Sequence, residues 1–318
     1  MSDVQDLLAR TVLVIGAFLV LPLLVGQSEH KAMAHMQSRV GPMYAGGFHG
    51  WAQLVADGVK FAQKEDVVPA AADAAVFRLA PAVALLPALV VLAVIPVAPH
   101  RAGAVIDPSL FFALAVMSVA VVGSLMAGWS SANKYSLLGA IRVAAQLLAY
   151  ELPLVLCAVS AAMAAGSVSL ADITRSWTPW WLLWQLPGLV VFFVAGLAEL
   201  HRPPFDMPVA DAEIIFGPYT EYAGIRFALF LLAEYAGIVV IAALTTVLFL
   251  GGWHGPWPDQ LGWLWTLAKI GACAFVVIWV RVAFPRLRED QLQRLAWVWL
   301  VPVALGQLVL TTAGALLT

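Results

Sequence analysis

The residues of this sequence best suited to chemistry are carboxylates set among apolar neighbours. Glu151 and Glu234 stand near the middle of two long apolar runs, and Glu29 and Glu199 stand at the ends of two others. A charged side chain at the centre of a bilayer costs about 3 kcal/mol on insertion scales, so such groups face cavities, pair with one another or take part in proton and substrate pathways. Low dielectric disfavours the charged form, which suits these carboxyls to exchanging protons. The plainer reading of any one of them is a neutral carboxyl packed against a Ser or Tyr. Tyr150, Tyr222 and Tyr235 adjoin Glu151, Glu221 and Glu234, but neighbours on a helix point in different directions, so adjacency implies no hydrogen-bonded pairs. Other chemistry finds little support. His30 and His35 are off one helix face, and no His/Asp/Glu cluster has metal-ligand spacing. No phosphate-binding glycine loop, dinucleotide fingerprint or Ser-His-Asp arrangement is present, so the chain is expected to bind no cofactor of its own. Cys157 and Cys273, both in apolar runs, are too few for an iron–sulfur cluster and read as small buried hydrophobes.

The elements that must position these groups follow from composition. Hydrophobic residues make up 62% of the chain and charged residues only 11%, against roughly 25% charged in soluble domains. A membrane-spanning helix needs about 20 mostly apolar residues, and eight such runs occur, at roughly 8–28, 78–98, 108–127, 141–165, 180–200, 224–250, 262–284 and 296–317. Their length and lack of two-residue alternation exclude barrel strands. The expected fold is an all-α integral membrane protein, a single transmembrane domain over residues 1–318 with about eight spanning helices. The first run has Asp3, Asp6 and only Arg10 before it and no small-residue cleavage site after it, so it reads as the first helix and not as a secretion signal.

Lys and Arg distribution sets the orientation. Thirteen lie on or beside the odd-numbered connections, and only Arg10, Arg101, Arg175 and Lys269 lie on the other side. This predicts cytoplasmic odd connections and both termini outside. Two cytoplasmic connections are long, 29–77 and 200–223. The first contains an amphipathic helix at about 48–66, with Trp51, Leu54, Val55, Gly58 and Phe61 on one stripe and Gln53, Asp57, Lys60 and Lys64 on the other. It either rests on lipid headgroups or closes a cavity against the bundle. The second contains Pro203, Pro204 and Pro208, which forbid continued helix, and carries Asp211, Glu213 and Glu221 towards Arg226.

Several stretches resemble one family. Glu29-His-Lys-Ala-Met-Ala-His-Met-Gln-Ser-Arg-Val-Gly-Pro42 is similar to E-x-K-x-x-x-x-x-Q-x-R-x-G-P, and Ala56-Asp-Gly-Val-Lys-Phe-Ala-Gln-Lys-Glu65 to A-D-x-x-K-x-x-x-K-E. Ala127 to Ser136, Tyr150-Glu-Leu-Pro153, Glu199 to Asp206, Thr220-Glu-Tyr222, Phe230 to Tyr235 and Pro285 to Leu292 continue the match in order, over about 29–305. These motifs resemble the family of quinone-site membrane subunits of respiratory complex I, the NADH:quinone oxidoreductase. The resemblance implies a non-redox subunit of a proton-translocating enzyme, without a complete active site of its own. It implies quinone as substrate, with iron–sulfur clusters and FMN in partner subunits. Those partners are hydrophilic iron–sulfur and quinone-site subunits together with small and antiporter-like membrane subunits. By position, Arg39, Asp57, Lys60, Lys64, Glu65, Arg202, Phe205 and Asp206 would border the quinone chamber. Glu29, Glu151, Glu199, Asp211, Glu213, Glu221 and Glu234 would couple quinone chemistry to proton movement. The chain departs from the family pattern at Met43, where Asn is usual, at Val209, where Glu is usual, and at Asp211, where a second Glu is usual. The loss of one acid makes the funnel less negative. Rival readings are the equivalent component of a membrane-bound hydrogenase-type complex and, from another class, an independent proton or cation transporter, which would more often show repeated halves.

Overall fold

Continuous apolar sequence in a bilayer must satisfy its own backbone, and helices do so within one segment. The structure, a computed structural model, describes residues 2–99 and 106–317, so Arg101 lies outside the described residues. Among them are thirteen α-helices and no strand. In chain order they are α1 (Ser2–Met36), α2 (Gln53–Gln63), α3 (Ala74–Val94), α4 (Ser109–Ser130), α5 (Lys134–Ala165), α6 (Leu170–Ser176) and α7 (Trp181–Trp184). There follow α8 (Leu186–Glu199), α9 (Asp211–Ile214), α10 (Gly224–Leu248), α11 (Pro258–Ala283), α12 (Glu289–Arg294) and α13 (Val301–Leu317). Among the described residues, seven stretches are long and apolar enough to cross a membrane, the last running from Glu289 to Gly314 through a π-helical stretch at Leu295–Leu300.

The ends of these helices have local causes. Helix α1 runs past the expected boundary near residue 28 because nothing between Glu29 and Met36 breaks a helix. Helix α5 begins at Lys134, seven residues before the expected 141, because the Asn133 side chain caps it by accepting from the Tyr135 N–H at 2.9 Å. Its far end stops at Gly166, whose φ of 66° suits glycine.

The expected span at 180–200 is interrupted. Four residues of α7 end at Gln185, and α8 restarts with Pro187 in its first turn, as an imino acid without an N–H requires. The 14 residues of α8 reach about 21 Å, short of a hydrocarbon core of about 30 Å. Backbone freed at such a break needs a partner. The Trp184 carbonyl accepts from Gln307 Nε2 at 3.1 Å, and the same nitrogen lies 3.1 Å from Gln185 Oε1.

Helix α10 is the centre of the packing: every residue from Ile238 to Leu248 is buried, against α3, α11, α1 and α8. Helix α5 packs on α4, α8 and α13, and α3 lies along α4. The α3–α4 approach is set by Gly123, where a Cβ would stand 2.4 Å from the Ala84 backbone nitrogen. The amphipathic helix α2 rests on α10 and α1. Its expected apolar stripe divides. Leu54 packs against Gly26 and Phe61 lies 5.9 Å from the Phe227 ring, whereas Trp51 and Val55 are exposed and face away from the bundle.

Candidate functional site

The site forms where α8 ends. Glu199 is its last residue; beyond it His201 turns the chain at φ 52°, and Pro203 and Pro204 keep it out of helix. The connection then folds back on itself. Gly217 permits this, since a Cβ there would overlap the Pro208 carbonyl oxygen.

Arg202, 2% exposed, projects from this turn into the bundle. Its guanidinium donates to Glu29 of α1, lies 2.6 Å through Nε from Glu234 Oε1 of α10, and stacks with its carbon 4.7 Å from the centre of the Tyr235 ring. The Glu234 contact is a close charge pair without hydrogen-bond alignment. Arg281 of α11 donates to the other Glu29 oxygen. Two carboxylates and two guanidiniums therefore balance one another, and the four groups join α1, α10, α11 and the turn. Burial works against the Arg202 charge, and the Glu234 and Glu29 carboxylates more than offset it, raising its pKa above that of a free guanidinium.

Beside this cluster lies a cavity of about 280 Å³ between α3, α4, α10 and the 200–219 connection. Its walls are mostly apolar, and Glu199, His201, Asp206, Tyr219, Glu234 and Arg281 bring polar groups to it. Ser124 and Tyr219 bridge the wall by a 2.8 Å hydroxyl hydrogen bond, and burial pushes the Tyr219 phenol up to about 12. Withdrawal from bulk water pushes the His201 imidazole down to about 4, so it is neutral near pH 7. A second, much smaller cavity of about 10 Å³ lies behind the first, and Met117 and Glu199 line both. It contains Glu151, whose Oε1 accepts from Ser118 Oγ at 2.5 Å. This volume is about that of one water-sized probe. Glu199 thus stands between a chamber of ligand-head size and a pocket holding another carboxyl.

The remaining acids sit towards the surface. Glu213 accepts from Arg142 at 2.7 Å and lies 3.6 Å from Arg286. The Arg142 hydrogen bond, with the charges of Arg286 and Arg142, holds its carboxyl below the usual range despite some desolvation. Glu221 accepts from the Asn133 side chain, which also caps α5. The backbone of Asp211 opens α9, and its side chain lies outside the described residues. Arg226 pairs with Asp66 at 2.8 Å.

The sequence-derived chamber residues divide accordingly. Asp206 lines the large cavity, Arg202 and Phe205 are buried beside it, and Arg39, Lys60, Lys64 and Glu65 are exposed on the loop and helix preceding α3. Asp57 is occupied by Gln53 at 3.0 Å and by Lys60 at 3.5 Å, and Lys64 lies over the Phe61 ring. No residue of α2 lines the cavity, although Phe61 touches Phe227, which does. Arg281, His201, Tyr219 and Ser118 are site residues that the sequence reading did not single out. Arg281 looked like one more basic residue at a helix end, and Ser118 like one small residue in an apolar run. A Glu in or at the end of an apolar run was the available signal that such partners exist.

Residues 9–312 match the family model for NADH dehydrogenase. Among similar proteins, the H subunit of the NADH-quinone oxidoreductase of Geobacillus kaustophilus is 44% identical over 289 residues, covering 89% of this chain and 86% of that one. The protein of the same name from Bacillus cytotoxicus is 45% identical over 287 residues, again covering 89% and 86%. That of Bacillus cereus strain B4264 is 44% identical over 290 residues with the same coverage.

Proposed function

The chain belongs to the NADH dehydrogenase family, and from this premise we propose that it is the membrane component that closes the inner end of the quinone chamber in a proton-translocating NADH:quinone oxidoreductase. In this reading it is a non-redox subunit. Hydrophilic partner subunits carry FMN and the iron–sulfur clusters and deliver electrons to quinone, while small and antiporter-like membrane subunits adjoin the bundle. The complex lies in a bacterial inner membrane with both termini of this chain outside the cytoplasm. The names of its relatives favour quinone over the hydrogenase-type and independent-transporter alternatives.

The observation that carries the reading is the position of Glu199 on the walls of both cavities. Reduction of a quinone to a quinol takes up two electrons and two protons, so charge and proton demand change together at the chamber. A proton leaving the Glu199 carboxyl towards the chamber leaves a charge in a confined, poorly solvated site. The Glu151 carboxyl, with Ser118 as its hydrogen-bond partner, responds by passing its proton across the small pocket to the Glu199 carboxylate, or by reorienting. Arg281, donating to Glu29 while facing the cavity, can follow the same charge. Asp206 lines the chamber, Arg202 and Phe205 are buried beside it, and α2 supports its wall through the Phe61–Phe227 contact. Glu213 and Glu221 form its outer acidic approach.

Replacing Glu199 by Gln in the assembled complex tests this directly. The complex should purify intact while inhibitor-sensitive NADH:quinone turnover falls roughly tenfold, equivalent to about 1.4 kcal/mol in the barrier. Wild-type turnover and proton yield per electron in that variant would remove Glu199 from the route. Co-purification with a nickel–iron hydrogenase instead of flavin and iron–sulfur subunits would replace the whole assignment.

A further inference from the structure

We infer that Gln146 is a positioning residue, whose side-chain amide tethers both ends of the turn carrying Glu199 and Arg202 to helix α5. The functional weight of that turn rests on the reading above, whereas the tether itself rests on geometry. Gln146 is 2% exposed, and its Nε2 donates to the Ala198 carbonyl at 2.7 Å and to the Phe205 carbonyl at 3.0 Å. These two carbonyls bracket the segment that contains Glu199, His201, Arg202 and the two prolines. Only a donor can face two carbonyl oxygens, so the amide has one orientation. Its own Oε1 is buried without a hydrogen-bond partner. An unpaired buried polar atom is costly, and apolar packing against α8 would need no amide at all. One turn further along α5, the Tyr150 ring lies 5.6 Å from the Phe205 ring and its hydroxyl donates to the Leu292 carbonyl at 3.0 Å. The same helix face therefore holds Phe205 by its carbonyl and by its ring.

Each tethered carbonyl also has a local partner, since Ala198 accepts from the His201 N–H at 3.0 Å and Phe205 from the Met207 N–H at 2.9 Å. Loss of the amide leaves these turn bonds in place and no carbonyl bare. What disappears is the link between the turn and α5, so the Glu199 carboxyl loses its fixed position between the two cavities while the bundle remains assembled.

The test uses Gln146→Leu and Gln146→Glu in the intact complex, with hydrogen–deuterium exchange of residues 198–207 and the pH profile of quinone reduction as readouts. Gln146→Leu should speed exchange at His201 and Met207 several-fold, with helices away from the turn unchanged, and should lower turnover with little change in apparent KM. Gln146→Glu can donate only when protonated. Its exchange, normalised to the wild type, should slow as pH falls and its turnover should recover towards acid, a trend absent from Gln146→Leu. Unchanged exchange in Gln146→Leu, or Gln146→Glu behaviour independent of pH, overturns the tether. Faster exchange with wild-type turnover supports the tether and counts instead against the proposed role of the turn. If Gln146→Leu does not accumulate, the pH trend of exchange in Gln146→Glu decides alone, in the same sense.

Discussion

At the scale of single residues, the carboxylates of this chain fall into two electrostatic situations. Glu29 is 1% exposed yet accepts from both Arg202 and Arg281, so the cost of burying it is met by two guanidiniums and a closed set of charges. Removing one member of such a buried pair costs about 3–5 kcal/mol, because the survivor is left unpaired. Glu213 is the opposite case. It lies at the surface, paired with Arg142 and near Arg286, where ion pairs contribute about 0–1 kcal/mol. Glu213→Gln should therefore leave assembly intact while lowering quinone-linked turnover, as purified-complex assays at fixed protein amount would show. The pH behaviour has a definite sign. A carboxyl whose folded pKa is depressed contributes its stabilisation above the unfolded value, about 4.3, and loses it as pH falls through the lower folded value. Between about pH 6 and about pH 8 the pair is constant, so the variant should keep the wild-type shape of the activity profile at reduced height. A change of shape within that window would mean that Glu213 titrates there, contrary to its pairing with Arg142.

At the scale of elements, the walls of the large cavity are set by how closely backbones approach. Helices α3 and α4 meet at Gly123, and the atom nearest a hypothetical Cβ is the Ala84 backbone nitrogen, at 2.4 Å. Gly123→Val should force the helices apart, at a cost of about 1–3 kcal/mol or more for overpacking, and lower the melting temperature of the complex. Because a backbone atom is in the way, a second change, Ala84→Gly, should not restore it; recovery in the double variant would show that side chains alone set the spacing. The same elements show what sequence can and cannot reveal. Apolar runs long enough to span a bilayer are legible because the backbone must satisfy itself there, and the all-α membrane class follows from them. The interruption at Gln185 was obscured because Trp181–Trp184 and Leu186–Glu199 together read as one apolar run. Pro187 was the signal that the run is not one helix. The amphipathic helix was legible as an element, but not the division of its stripe, since only Leu54 and Phe61 meet the bundle. The Glu29 cluster was legible only as an unexplained acid: its partners Arg202 and Arg281 lie 173 and 252 residues away in sequence, and no local pattern connects them. The apolar runs singled out Glu199 and Glu234 and the motif resemblance added Arg202, whereas the contacts of Gln146 and Arg281 required the fold.

At the scale of the whole molecule, the proposed orientation of the bundle rests on charge asymmetry. Thirteen of the 17 Lys and Arg residues lie on or beside the connections that also carry the turn at 200–208 and helix α2. The positive-inside rule retains such a basic end in the cytoplasm, and the proposed function needs it there, on the side from which soluble electron-carrying subunits would reach the chamber. The two native cysteines, Cys157 and Cys273, are both buried, so an introduced cysteine can be read against a low background. Gln63 at the end of α2 and Gln260 near the start of α11 are exposed at opposite ends of the bundle. In intact cells stripped of outer barriers, a membrane-impermeant maleimide should label Gln260→Cys at once, and Gln63→Cys only after the membrane is opened. The converse pattern would place α2 and the 200–208 turn outside, away from any cytoplasmic NADH-linked partner, and the proposed chamber could not be where its electrons arrive. Labelling of Gln63→Cys should remain slower in assembled complex than in the isolated chain, because the docking of peripheral subunits would cover that end. Equal rates would mean that α2 lies clear of them and borders lipid alone.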